Sequence, residues 1–316
     1  MTVTESTQVD QKAKILLIGD LLIDRTFYVD VLKLSPEAPV PVAMLTGDPI
    51  DTPGGAGLAA AFSAVKKIPL LFGTYTSINK ANWILKEYSV PVIHPPIHSN
   101  NVNTIKTRYI DNERHYHLLR VDSDNITSQP FNSLEDEEEW FRQIEDKIKG
   151  IGILAILDYR KGLLNEVRSQ RLISMARNAK IPIYVDSRAK NLRKFEGINV
   201  LKLNSIEYQT ACRTYHCQSY AELADKLIID NIIETKGAEG ACYWPSIFNT
   251  IKQYTPNLSK HEGSPDVTGC GDVFDVTFCY EWGIKKVGFH EALKIAVETA
   301  TKFAYEPIGE RLKCQN

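Results

Sequence analysis

Long apolar runs are missing from this 316-residue chain, and with them any helix able to cross a membrane, which needs about 18 such residues. Excess charge of one sign is missing too. The net charge of −2 gives no global basic field to recruit nucleic acid or an anionic membrane. Metal-binding cysteine spacing is absent. The six cysteines, Cys212, Cys217, Cys242, Cys270, Cys279 and Cys314, include no Cys-x-x-Cys pair and have no histidine at zinc-ligand spacing beside them. Reduced, buried thiols are expected, which suits the cytoplasm. His115 and His117 alternate in a strand-like run and read as a half-exposed strand surface rather than a metal pair. The polar N-terminus lacks the apolar core of a signal peptide, so residues 1–13 are expected to form a loose tail. No internal repeat, low-complexity tract or strong linker follows.

What is present is an ordinary globular composition, 43% hydrophobic and 24% charged, long enough for one large α/β domain or two smaller ones. Lys14-Ile-Leu-Leu-Ile-Gly19 reads as a strand buried on both faces, followed by Asp20 and Asp24. Ligands of open α/β sheets gather outside the carboxyl ends of strands, so these acids are candidates for ligand hydroxyls, and equally for turns or caps. Residues 34–42 carry three prolines and fit an extended edge segment running into residues 42–46. Thr52-Pro-Gly-Gly-Ala56 is a glycine turn opening a small-residue helix. Residues 104–110 and 115–121 read as a hairpin that could join the proline-rich segment in a small separate sheet. Ser133-Leu-Glu-Asp136 starts a helix with a capping-box-like pattern. Apolar strands at 153–157, 182–185, 199–203 and 231–234 then alternate with helices near 165–179 and 220–227. That rhythm specifies a parallel sheet with right-handed crossovers, its strands ending in polar residues along one crevice edge.

Asp266-Val-Thr-Gly-Cys-Gly-Asp272 is the most informative stretch, with two glycines flanking one small residue before an acid that opens an apolar run. Such a loop can turn sharply, aim backbone N–H groups at one point and add the positive end of a helix. An anion, most usefully a phosphate, fits there. A carboxylate beside a phosphate pocket is electrostatically awkward unless it takes a proton, which points to phosphoryl transfer to a hydroxyl. Alone, a Gly-x-Gly turn before a helix is only a turn.

Across roughly residues 14–312 the chain resembles the ribokinase-fold (PfkB-type) carbohydrate kinases, and within them the bacterial heptose-7-phosphate kinases. The resemblance is carried, in order, by Gly19-Asp-Leu-Leu-Ile-Asp-Arg25, Leu34-Ser-Pro-Glu-Ala-Pro-Val-Pro-Val42, Pro53-Gly-Gly-Ala56, Asp158-Tyr-Arg-Lys-Gly162, Asn204-Ser-Ile-Glu207, Thr235-Lys-Gly-Ala-Glu-Gly240 and the 266–272 loop. It implies one three-layer α/β/α domain over residues 1–316, with a mostly parallel sheet and a small β-sheet lid from about 25–46 and 103–121. It implies ATP and Mg²⁺, a monovalent cation such as K⁺ if this member uses one, a sugar-phosphate substrate and a homodimer paired through the lid. Asp272 would be the general base, and the amides of Gly269, Cys270, Gly271 and Asp272 the anion hole. Asp24, Gly54, Gly55 and Asp186 would hold the sugar. Lys106, Arg108, Arg120 and Lys161 are candidates for its phosphate, or for surface salt bridges. Asn204 and Glu207 would organise Mg²⁺ through water, Thr235, Lys236, Gly237 and Gly240 would line the nucleotide site, and Asp266 and Thr268 would flank the monovalent cation. Heptose kinases are sometimes fused to a nucleotidyltransferase; with the last residue at Asn316, that activity is expected from a separate protein.

The chain departs from the family pattern in places. Leu58 stands where related kinases place a sugar-binding Asn, Asp186-Ser-Arg-Ala189 replaces Asp-Pro-Lys-Gly, and Val297-Glu-Thr-Ala-Thr-Lys302 replaces a small-residue helix with an Asn facing adenine. Cys270 replaces Ala; a helix start could lower its pKa, though an inert substitution is the simpler reading. Two other functions therefore stand beside the heptose kinase: a kinase for another sugar or nucleoside, and a sugar- or nucleotide-binding homologue with impaired catalysis.

Overall fold

Alternation along the first strand divides the molecule into layers. In Lys14–Gly19, Ile15 and Leu17 pack into one hydrophobic core and Leu16 and Ile18 into another. The split recurs at Ile153 and Ala155 against Leu154 and Ile156, as a sheet covered on both faces requires. The computed structural model describes residues 13–95, 103–188, 190–245, 250–260, 265–307 and 310–313. The expected tail, except for residue 13, lies outside the described residues, as do Ala189 and Cys314. Helices Ala56–Val65, Ile78–Tyr88, Cys270–Phe278 and Phe289–Tyr305 cover the first core. Helices Leu134–Lys147, Glu166–Asn178, Ser205–Thr214 and Tyr220–Leu227 cover the second. None of the helices among the described residues is long and apolar enough to cross a membrane.

The main sheet has nine strands, in the order Lys252–Tyr254, Ala241–Pro245, Asn231–Thr235, Val200–Asn204, Ile183–Ser187, Ile151–Asp158, Lys14–Gly19, Leu70–Gly73, Val92–Ile93. It is parallel except at the Ala241–Pro245 and Lys252–Tyr254 edge. Register aligns the strand ends: Gly19 lies opposite Leu157, Leu157 opposite Asp186, Asp186 opposite Lys202, and Asn204 opposite Thr235. Asp20, Asp158, Asp186, Asn204 and Thr235 thus line one edge, where the polar strand ends were expected.

A second, five-stranded sheet runs Pro41–Leu45, Leu21–Leu34, Ile105–Asp111, His117–Ser123, with Ile50–Gly55 also paired to Leu21–Leu34. The 14-residue strand Leu21–Leu34 joins the two bodies: its first three residues are buried in the core and its last five are exposed. Asp24 therefore lies inside a strand rather than at the end of one. The glycine turn likewise closes strand Ile50–Gly55 before helix Ala56–Val65 starts.

Candidate active site

Helix Cys270–Phe278 starts from Gly269, whose φ of 81° is a left-handed conformation that side chains rarely adopt. Asp272 sits buried in the first turn and accepts a hydrogen bond from the Tyr159 hydroxyl. Burial pushes the Asp272 pKa up to about 7, against Tyr159, Arg188 and Lys202, which favour its charge. Tyr159 follows the strand end at Asp158, and its N–H donates to the Asp20 carboxylate at 3.0 Å. The Lys161 N–H donates to the same oxygen at 3.2 Å. Asp20 is also raised to about 7, by burial and then by Asp158. The Arg188 guanidinium lies 4.2 Å from the centre of the Tyr159 ring, and the Lys106 ammonium 5.5 Å from it. Burial, then Arg188, pulls Lys106 below the usual lysine value.

Beneath the glycine turn, Lys202 Nζ pairs with Asp186 at 2.8 Å and Asp275 at 3.1 Å. A side chain at Gly271 would come within 3.4 Å of that ammonium. Burial works against the Lys202 charge, but the two carboxylates overcome it and lift its pKa. Asp186, expected at the sugar, is thus held by a buried lysine under the turn. The Cys270 N–H is spent on the Val267 carbonyl at 3.2 Å, which narrows the anion nest to the remaining amides of the turn. Burial pushes the Cys270 thiol up to about 11, so the helix start does not activate it.

A cavity of about 540 Å³ opens between the small sheet and the 266–268 loop, lined in part by Asp24, Leu58, Arg108, His117 and Thr268. Asp272 is not among the lining residues; Leu58, which lines the cavity and packs on Gly269, lies between the cavity and the helix start. Arg108 and Asp24, both expected at the substrate, pair with each other at 2.5 Å. Gly54 leaves room for that carboxylate, since a Cβ there would lie 2.3 Å from Asp24 Oδ2. Leu58 is buried against Gly269, where an added Cβ would meet it at 2.7 Å. The position that departs from the family pattern thus packs directly on the phosphate-sized turn.

At the other end of the polar edge, Asn204 and Glu207 form a capping box. Asn204 Oδ1 accepts from the Glu207 N–H at 2.9 Å, and Glu207 Oε2 from the Asn204 N–H at 2.8 Å. Glu207 Oε1 faces Arg188 at 3.9 Å. Burial, then Asp186, raises the Glu207 pKa. Thr235 ends the neighbouring strand, and the Lys236 N–H closes a turn onto the Gly240 carbonyl at 2.7 Å. Lys236 Nζ lies 3.8 Å from Glu234, and the space beside Gly237 is open. Glu298, in the altered helix, accepts from the Tyr254 hydroxyl at 2.5 Å.

Two phosphate candidates are otherwise engaged. Arg120 is largely exposed and paired with Asp122 at 2.9 Å, while Lys161 reaches Asp124 at 2.6 Å. The monovalent-cation expectation at Asp266 and Thr268 is not met, because the buried guanidinium of Arg311 bonds to both residues. Among the described residues no group of three His, Cys, Asp or Glu side chains could hold a metal ion. Sequence reasoning assigned no site role to Tyr159, Arg188, Lys202 or Arg311. Tyr159 lay within a quoted motif, and Lys202 interrupts an apolar strand, a buried charge that demands partners. Arg311 carries no sequence signal at all.

No protein-family model matches the chain. The bifunctional protein HldE of Yersinia enterocolitica is 30% identical over 279 residues, 83% of this chain and 54% of that protein. The chain spans about half the length of the curated relatives it matches. Phosphofructokinase-2 of Escherichia coli, solved in complex with substrates and products, has the same fold with a TM-score of 0.68 at 17% identity, over 93% of each chain. Ribokinase of Arabidopsis thaliana, complexed with ribose and ATP, gives 0.64 at 12% identity, again over 93% of each chain. By its relationship to the Yersinia protein the chain belongs to the HldE family, and it has the fold of ribokinase and phosphofructokinase-2.

Proposed function

We propose that the chain is an ATP-dependent sugar kinase acting on a sugar phosphate, with heptose 7-phosphate as its substrate. The observation that carries the reading is Asp272: a buried carboxyl at a helix start, beside a glycine turn, with its pKa raised to about 7. A base with that pKa is half ionised near neutral pH, where proton removal is most effective. Asp272 would take the proton from the attacking sugar hydroxyl, and the Tyr159 hydroxyl orients the carboxylate. The free amides of the turn, at the positive end of the helix, would hold the transferring phosphoryl, with Lys202 fixed below them.

The sugar would enter the cavity beside Asp24, whose carboxylate Gly54 makes room for, while Gly55 lets Tyr159 and Leu22 pack close. Lys106 and Arg188 are better placed for the substrate's own phosphate than Arg120 or Lys161, since both lie over Tyr159. Thr235, Lys236, Gly237 and Gly240 would line the nucleotide. Among the described residues Mg²⁺ would find one carboxylate oxygen rather than a cluster: Glu207 Oε1 lies outside the capping bond, with Arg188 3.9 Å away. When bound, Mg²⁺ neutralises phosphate charge; Glu207 and Asn204 would hold it through water. The heptose assignment rests on Ser35-Pro-Glu-Ala-Pro-Val-Pro41 and Asp158-Tyr-Arg-Lys-Gly162.

Leu58 favours a second reading, a different sugar, because it offers no polar contact at the cavity wall. A panel of sugars and sugar phosphates, scored by ADP release, separates the two. ADP release confined to heptose 7-phosphate supports the assignment, turnover on an unphosphorylated sugar replaces it, and binding without any turnover overturns the kinase.

A further inference from the structure

Arg311 makes an arrangement that ordinary surface arginines do not. All five of its N–H donors are used, and every acceptor belongs to two short segments. Nε donates to the Glu306 carbonyl at 2.9 Å. One terminal nitrogen donates to Asp266 Oδ2 at 3.2 Å and the Thr268 carbonyl at 3.4 Å. The other donates to the Asp266 carbonyl at 2.8 Å and the Ala304 carbonyl at 2.9 Å. The guanidinium is buried and lies 4.8 Å from the Phe303 ring centre.

Such a shell of carbonyl oxygens plus one carboxylate oxygen is what a weakly hydrated monovalent cation takes. Ala304 and Glu306 also stand at the negative end of helix Phe289–Tyr305, which favours a positive charge. Asp266 and Thr268 open the loop that runs into Gly269 and the first turn bearing Asp272. The Asp266 N–H donates to Ala304 at 2.9 Å, so the cation and the backbone clamp the same two segments.

We propose that Arg311 is a covalently attached substitute for a monovalent cation, a positioning residue that fixes the 266–268 loop and makes the protein independent of K⁺. The phosphoryl-transfer part of this inference rests on the kinase reading above; the clamp itself does not. A planar fork spans oxygens on both segments at once, and a lysine, as a point charge, cannot. Loss of the fork removes these donors from the half-buried Asp266, Thr268 and Glu306 carbonyls, leaves Ala304 only the Asp266 N–H, and frees the loop. Displacement of the turn on the order of 1 Å costs about 10²-fold in turnover.

The test compares the full chain with Arg311→Ala and Arg311→Lys, in KCl and in choline chloride at equal ionic strength. The unchanged protein should melt at the same temperature in both salts and, with an accepted sugar, turn over equally. Arg311→Ala should melt lower, lose about 10²-fold in kcat with a smaller change in KM, and recover in part with millimolar guanidinium or K⁺. Arg311→Lys, which keeps the charge and much of the packing, should show the same kcat loss in weaker form should the alanine variant not fold. A saturable gain of the unchanged protein in K⁺, or variants that neither lose kcat nor respond to guanidinium or K⁺, overturns the proposal. Absence of turnover in the unchanged protein would defeat the kinase reading alone, because the melting arms still report on the clamp.

Discussion

In the proposed kinase, Asp272 bears on both chemistry and stability. Its carboxyl is held near 7 by burial while Tyr159 pulls it the other way. Tyr159→Phe removes a hydrogen bond to the charged form, so the acid limb of the rate profile should move to higher pH by about 0.5–1 unit. Unchanged pH dependence would remove Tyr159 from the account. A carboxyl raised from 3.8 toward 7 favours folding in its neutral form. That contribution is full below the unfolded value and is lost as pH rises through 7. Asp272→Asn should therefore abolish turnover yet raise unfolding stability at pH 8 by on the order of 2 kcal/mol, read by denaturant melts. A variant less stable than the parent at pH 8 would contradict the assigned burial cost.

At the scale of elements, the apolar strands and the helices between them were legible because their hydrophobic periods are uninterrupted. Residues 220–227 form the expected helix, and 231–234 the expected strand plus one residue. Strand Leu21–Leu34 was not legible, because Asp24, Arg25 and Asp30 break its alternation as it passes between two sheets. Its lack of any Gly or Pro was the available signal. Helices Ile78–Tyr88 and Ser205–Thr214 were missed, and so was the Arg311 clamp, which joins segments 45 residues apart. The glycine turn was legible as a turn, while its contact with Leu58 needed the fold. Gly269→Ala combines a strained φ with a 2.7 Å clash on Leu58, and should cost about 1–3 kcal/mol and most of the activity. A fully active, equally stable variant would contradict the geometry. Asn204→Ala should cost about 1 kcal/mol through the lost cap, separately from any loss of nucleotide affinity.

At the scale of the molecule, the five-stranded sheet exposes Leu34, Met44, Leu45 and Leu119, with Val40 exposed in the bend between its first two strands. The family resemblance implies a lid that pairs two copies here, and exposed apolar side chains on one small sheet suit that expectation. Leu34→Asp with Leu119→Asp should convert a sedimenting dimer to monomer; a parent that is already monomeric would end the idea. In the proposed kinase, the cavity and the strand-end row would take the sugar and the nucleotide, and the small sheet would be the lid over them. The most direct measurement is ADP release by the unchanged protein and by Asp272→Asn, with ATP, Mg²⁺ and heptose 7-phosphate. The account predicts turnover in the parent and a loss of about 10²–10⁴-fold in the variant. Equal turnover in the two proteins would contradict it.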